Sequence, residues 1–329
     1  MLYPGAKLRD DLFGRPEQKP TRDGFGMALM ELGEKNNEVV VVCADLSEST
    51  RVLEFKEKYP ERFVEIGVAE QNLATVASGL AAVGKIPFIT SYATFSPGRN
   101  NEQIRTTISL NRVPVKIGGM HAGISVGPDG ATHQALEDMA LMRVQPNMTV
   151  ISPCDAEEAR KATLAAASHD GPVYLRFSRE KTPLLTTPES PFTVGQIQIV
   201  WLPEKPRVAV FATGPLLYNA LRAVSELEHE ISASVLNVHT IKPLDKKAIV
   251  AAAKTAGAVV VVEEHQVAGG LGSAIAEVLA EEWPVPIQFI GVRDQFGQSG
   301  EPKELIEHYG LGITHIKQAI SKAHKRAHI

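Results

Sequence analysis

Cysteine is nearly absent: the 329 residues include two, Cys43 and Cys154. Two isolated thiols build neither a disulfide framework nor a zinc cluster, so both are expected as buried thiols in a reducing compartment. Long apolar runs are missing as well, and no segment approaches the ~18 residues a membrane-spanning helix needs. The start, MLYPGAKLRDDLFGRP, has no long apolar core and no small-residue cleavage site, so it does not read as a secretory signal. Nor does one sign of charge dominate: 34 Lys and Arg face 38 Asp and Glu, a formal net charge of -4. That removes the basic footprint duplex nucleic acid would require. These absences imply a soluble cytoplasmic protein without nucleic-acid or membrane partners, one that selects its ligands by specific pockets.

What is present is an ordinary globular balance, 44% hydrophobic and 22% charged. At roughly 150 residues per domain the length allows about two domains. Val39 to Leu46 (VVVVCADL) reads as a strand buried on both faces, the kind parallel sheets use. Further short strands are expected at 63–68, 87–92, 113–117, 148–152 and 173–177. Between them Leu73, Val76, Ala77, Leu80 and Ala81 recur at helical spacing, with Gly84 suited to the C-cap, and helical stretches fall near 133–144 and 155–168. Residues 181–196 break the pattern with three prolines and clustered Ser and Thr. The alternation then restarts, with strands at 208–212, 233–238, 258–263 and 287–292 and helices near 215–229, 245–256 and 271–282. A basic helix near 314–327 closes the chain and reads as a solvated face. Regular strand–helix alternation implies an α/β fold of two doubly wound domains with mainly parallel sheets. The expected limits are an arm over 1–20, a first domain over 21–185, a linker over 186–196 and a second domain over 197–329.

Five places could carry chemistry. Glu70 follows a strand and opens an alanine-rich helix; it either complements the helix dipole or, desolvated there, exchanges protons. The loop GGMHAGISVGPDGATH holds His121, Asp129 and His133 among five glycines, at the carboxyl edge where open α/β sheets bind ligands. Phe95 follows a strand end and is core or site. Arg176 and Arg179 end a strand, and one of them is expected at the same edge, where it could hold an anion. Gly269 to Gly272 (GGLG) is either a phosphate-cradling turn or a tight turn only.

Together GVAEQNL around Glu70, HAGISVGPDGATHQ from 121, ADLSEST from 44, TIKPLD from 240 and VVEEHQVAGGLGSA from 261 resemble the C-terminal half of the transketolase family of thiamine diphosphate enzymes. The resemblance covers the chain from about residue 20 and implies a pyrimidine-binding domain followed by the family's C-terminal domain. The diphosphate-binding half of such enzymes carries a Gly-Asp-Gly motif that helps hold magnesium; here the nearest string is Pro128-Asp129-Gly130. The implied partner is therefore a separate diphosphate-binding subunit that holds magnesium or another divalent ion, in a heterotetramer acting on sugar phosphates.

Position by position, the resemblance implies that Glu70 hydrogen-bonds a ring nitrogen of the cofactor's aminopyrimidine. That bond favours the imino tautomer, whose nitrogen accepts the thiazolium proton. It further implies Phe95 stacked on the pyrimidine and Asp45 near the cofactor across a subunit interface. Asp129 and His133 fall to the donor sugar's hydroxyl and reacting carbonyl, and Arg22, Ser49, His121 and Arg179 to sugar-phosphate contacts. The chain departs from full-length members at Gly98 and Asn101, where they usually carry two further aromatics. The implied activity is ketol transfer. A deoxyxylulose-phosphate-synthase-like or oxoacid dehydrogenase β-type subunit, or a non-catalytic stabilising subunit, is the alternative.

Overall fold

The computed structural model describes residues 1–327. Its first sheet follows from the apolar runs. Val39–Cys43 is buried at every position, because helices cover both faces of the sheet it lies in. Val39, Val41 and Cys43 pack on one side with Phe25, Leu29, Phe88 and Leu175, while Val42 turns to the other with Leu73, Ile89 and Ile117. Among the described residues this sheet has seven strands, in the order Thr240–Lys242, Thr149–Ile151, Val173–Arg176, Lys116–Met120, Ile86–Tyr92, Val39–Cys43, Phe63–Glu65. All neighbours are parallel except the first pair, so the carboxyl ends of six strands open on one edge.

The second sheet runs Ile287–Val292, Val259–Gln266, Val208–Ala212, Ala233–Asn237, Gln198–Trp201, again parallel except at its last pair. One buried cluster spans both sheets, with Phe211, Leu236 and Val259 of the second in the same cluster as Ile117 and Val150 of the first. The two α/β halves therefore share a core, and the edge strand Thr240–Lys242, although it follows the second sheet's Ala233–Asn237, is stitched into the first sheet. Among the described residues, no helix is long and apolar enough to cross a membrane. Both cysteines are buried free thiols.

Several elements differ from the sequence expectations. The N-terminal arm is laid along the second sheet's edge: Tyr3 N–H donates to the Val200 carbonyl at 3.0 Å, and Ala6 and Leu12 are fully buried in the second core. The proline-rich break begins with a strand, Lys181–Pro183, paired antiparallel to Gln18–Pro20. The strand expected at 113–117 lies at Lys116–Met120. The helix expected near 133–144 starts only at Asp138 and ends at Arg143, because the glycine-rich segment before it stays in turns.

Helix Thr21–Lys35 escapes sequence reading because Gly24, Gly26 and Gly33 interrupt its apolar pattern. Gly24 is there for contact: a Cβ at that position would lie 1.9 Å from the carbonyl oxygen of Ala156, on the helix Ala156–Ala167 packed against it. Gly24→Ala is therefore expected to destabilise the fold by ~1–3 kcal/mol through forced separation of these helices. Denaturant unfolding of the variant measures this, and an unchanged midpoint would mean the helices separate at no cost.

Candidate active site

Glu70, Phe95, His121 and His133 gather at the carboxyl edge of the first sheet. Glu70 is the first residue of helix Glu70–Ala82 and is 1% exposed. A carboxylate this buried needs partners. Ser91 Oγ donates to its Oε1 at 3.3 Å and Arg99 Nη1 to its Oε2 at 2.8 Å, while Asn100 Nδ2 donates to its backbone carbonyl at 3.0 Å. Of the two sequence readings, dipole-complementing or desolvated, the structure shows a desolvated carboxylate, and the guanidinium on it was not anticipated.

Beside Glu70 lies a cluster of flat rings. Tyr92 stacks on His121 with centroids 4.0 Å apart, and the Phe95 and His133 rings meet edge to face at 5.4 Å. Tyr92 also faces Phe95 at 6.1 Å, so it links the two imidazoles to the phenyl ring. The Arg99 guanidinium lies 4.8 Å from the Phe95 ring centroid. His133 is half-buried, with Nδ1 2.9 Å from the Thr132 hydroxyl.

An anion-ready group adjoins the rings. Arg22 Nη1 lies 2.7 Å from both the Ser49 carbonyl and His121 Nε2. A guanidinium only donates, so Nε2 accepts and the His121 proton sits on Nδ1. Burial, followed by the charges of Arg22 and Arg179, pushes the His121 pKa down to about 3. Burial and the neighbouring Arg51 lower the pKa of Arg22 in turn. Arg22 Nε and His121 Nδ1 are buried and find no hydrogen-bond partner among the described residues. Arg179 approaches from the loop, donating to the Val126 carbonyl at 2.8 Å with Asp129 Oδ2 at 3.9 Å.

Of the two strand-end arginines, Arg176 does not reach the open edge. It is buried against Asp138, with Nε 2.8 Å from Oδ2, and donates to the Glu264 carbonyl at 2.9 Å. Glu264 Oε1 accepts the Ser125 N–H at 2.6 Å, so the second domain clamps the histidine loop. Gly123 has φ +93°, and a Cβ there would lie 2.4 Å from that same Oε1. The GGLG turn is already filled: Glu263 accepts the N–H groups of Leu271 and Gly272 at 2.7 and 2.8 Å, supplying the anion a phosphate would have been. Asp45 is exposed on the rim, in left-handed backbone at φ +58°, its N–H donating to Glu65 Oε1 at 2.8 Å. Among the described residues, no group of three or more His, Cys, Asp or Glu is arranged to hold a metal ion.

The model of the transketolase pyrimidine-binding domain matches residues 17–183, and that of the transketolase C-terminal domain residues 196–316. The chain belongs to the transketolase family. It is 42% identical over 312 residues to a putative transketolase C-terminal section of Methanocaldococcus jannaschii, covering 94% of this chain and 97% of that one. It is 39% identical over 311 residues to a 6-deoxy-6-sulfo-D-fructose transketolase subunit of Clostridium sp. (strain MSTE9), covering 94% and 96%. A solved structure described as a split gene transketolase, inactive β4 tetramer, superposes with a TM-score of 0.87 at 45% identity, covering 94% of this chain and 99% of that one.

The transketolase departure at Gly98 is built into the backbone. A Cβ there would meet the Thr94 carbonyl oxygen at 1.9 Å, so this turn admits no side chain of any kind. Tyr92, Ser91 and Arg99 are the site residues that sequence reading missed; SYATF and the GRN that follows were in view, but nothing local says that an arginine folds back.

Because His121 is held neutral by burial, its imidazole is expected to stay unprotonated from pH 8 down to at least pH 5. Nitrogen-15 chemical shifts of the ring test this, and a midpoint near the ordinary 6.5 would refute it. The sign for stability follows. The unfolded chain takes up the proton near 6.5 and the folded one only near 3, so this residue costs stability as the pH falls through that window.

Proposed function

We propose that this chain is the pyrimidine-binding subunit of a thiamine diphosphate-dependent transketolase. The complex transfers a two-carbon ketol unit between sugar phosphates and works only with a separate diphosphate-binding subunit. The observation that carries the reading is a carboxylate 1% exposed, Glu70, opening a helix on the sheet edge that also carries the Phe95 ring and two buried N–H donors, Arg22 Nε and His121 Nδ1, with no partner among the described residues. A subunit relieved of catalysis has no use for a buried carboxylate there, which supports an enzyme over a stabilising partner. The name of the 39% identical relative, a transketolase subunit, supports the split organisation, as does the description of the similar split-gene structure as an inactive β4 tetramer.

The residues fit the cofactor's pyrimidine end. Glu70 offers a fixed acceptor to a ring N–H, and Phe95 offers a face for the ring to stack on. When bound, thiamine diphosphate supplies the thiazolium carbon that attacks a ketose carbonyl. Glu70 holds the proton at the pyrimidine nitrogen and so selects the tautomer competent for proton exchange. His133, half-buried beside Phe95, is assigned to the reacting carbonyl and Asp129 to a donor hydroxyl. Asp45, on the rim, is assigned to the cofactor side of the subunit interface. Arg22, Ser49, His121 and Arg179 are assigned to the sugar phosphate: the Nδ1–H of His121 and the Nε–H of Arg22 are free to donate to its oxygens, and Arg179 adds charge. The diphosphate and its divalent ion are assigned to the partner subunit, the assembly to a heterotetramer, and the location to the cytoplasm.

Three measurements test this reading. The purified chain alone is expected to show no ketol transfer and co-expression with a diphosphate-binding subunit to restore it; robust activity of the lone chain refutes the split arrangement. Glu70→Gln in the reconstituted complex is expected to keep the fold and lose ~10²–10⁴-fold in turnover. Deuterium exchange at the thiazolium carbon should slow in parallel, and unchanged exchange would return Glu70 to a dipole-complementing role. Arg179→Ala is expected to raise KM for phosphorylated sugars ~10-fold, about 1.4 kcal/mol, and to leave unphosphorylated hydroxypyruvate and glycolaldehyde nearly unaffected. Equal losses on both substrate types would remove Arg179 from the phosphate.

A further inference from the structure

Arg99 makes both contacts that the proposed function gives to the cofactor's aminopyrimidine. Its Nη1 donates to Glu70 Oε2 at 2.8 Å, and its guanidinium carbon lies 4.8 Å from the centroid of the Phe95 ring. We propose that Arg99 is a built-in stand-in for the aminopyrimidine, closing the pyrimidine site of the unliganded subunit until the cofactor displaces it. The proposal rests on the reading that Glu70 and Phe95 form that site.

The chemistry of the two groups is alike. A guanidinium and an aminopyrimidine protonated at its ring nitrogen are both flat and delocalised, both present N–H donors to a carboxylate, and both offer a π face to an aromatic ring. One carboxylate edge beside one phenyl face accommodates one of them at a time. The local backbone puts the arginine there. Arg99 N–H donates to the Phe95 carbonyl at 2.9 Å, closing a non-helical turn that brings the arginine side chain back over the ring. Gly98 has no side chain to block that return, and the Thr94 carbonyl forbids one.

The energetics give the contact a purpose. Glu70 is 1% exposed, and a buried carboxylate without a counter-charge is costly, so Arg99 stabilises the empty site. Its own side chain is 50% exposed, which leaves it an exit into solvent. Cofactor binding then exchanges one Glu70 partner for another, and the affinity of the lone chain is reduced by the fraction of molecules in which Arg99 has swung out.

The test uses the full chain by itself and the free aminopyrimidine alcohol of thiamine as probe, with binding followed by calorimetry. Arg99→Ala is expected to bind the probe at least ~10-fold more tightly than wild type, because every molecule is then open. The gain should disappear in Arg99→Ala/Glu70→Gln. Circular dichroism establishes that each variant is folded. Equal or weaker binding by Arg99→Ala overturns the proposal, and a gain that survives loss of the Glu70 carboxylate overturns it too. A second measurement needs no variant: a crystal structure of the assembled complex with thiamine diphosphate is expected to show Arg99 withdrawn from Glu70. A pyrimidine stacked on Phe95 with the Arg99–Glu70 pair intact defeats the stand-in alone. A pyrimidine bound elsewhere defeats the site assignment, and the stand-in with it.

Discussion

The buried ion pair between Arg176 and Asp138 holds the candidate site in place. Arg176 ends a central strand of the first sheet, Asp138 opens the helix that follows the histidine loop, and Arg176 also reaches the Glu264 carbonyl on the second sheet. One guanidinium thus ties strand, loop and second domain at a point where all three are closed to water. A buried pair of this kind adds little net stability over an apolar core, but breaking it leaves a charge with nowhere to go. Its value is positional: any other register of the loop would strand a charge. His121 and His133 sit where they do because the loop that carries them has both ends held.

The same device recurs through the interior, where carboxylates buried in the fold bind the chain's own N–H groups. Glu263 closes the start of helix Leu271–Glu282, Glu158 accepts from Cys154 at 2.7 Å, and Asp155 accepts from Leu185 and Thr186 at 2.7 and 2.6 Å. Burial pushes Glu263 and Glu158 up to about 7. With folded values above the ordinary 4.5, both favour the fold at low pH and cost it stability as the pH rises through that range. The buried histidines act in the opposite sense: His239 and His265 are pushed down to about 4, His121 to about 3, and each opposes folding as the pH falls. The two sets of costs overlap between about pH 4.5 and 6.5, where the carboxylates' cost is growing and the histidines' is not yet gone.

Glu70 is the exception among these carboxylates. Its carboxylate partners are the side chains of Ser91 and Arg99, and no backbone N–H among the described residues ties it down. Side chains can be exchanged for a ligand's atoms without unravelling a helix, whereas N–H groups at a helix start cannot. The difference separates carboxylates tied into the fold from one whose partners a ligand can replace.

Much of this was legible in the linear order of residues. The valine runs at 39–42 and 259–262 name buried parallel strands, because only strands covered on both faces tolerate continuous apolar sequence. The position of Glu70 after a strand and before an alanine-rich helix, and the density of histidine and glycine from 118 to 133, pointed to the sheet's carboxyl edge, since strand direction alone decides which ends share it. Tertiary structure decided the rest. Helix Thr21–Lys35 was hidden because its glycines answer to tertiary contacts: Gly24 to the backbone at Ala156, more than a hundred residues on, Gly26 to Arg51 and Gly33 to the Phe55 and Tyr59 rings. Arg176 and Arg179, three positions apart, look equivalent in sequence; one is spent on Asp138 in the interior and the other faces the open edge. Arg99 gives no local sign that it folds onto Glu70. Which of several like charges meets which partner depends on distances across the fold, and periodicity carries information only about neighbours along the chain.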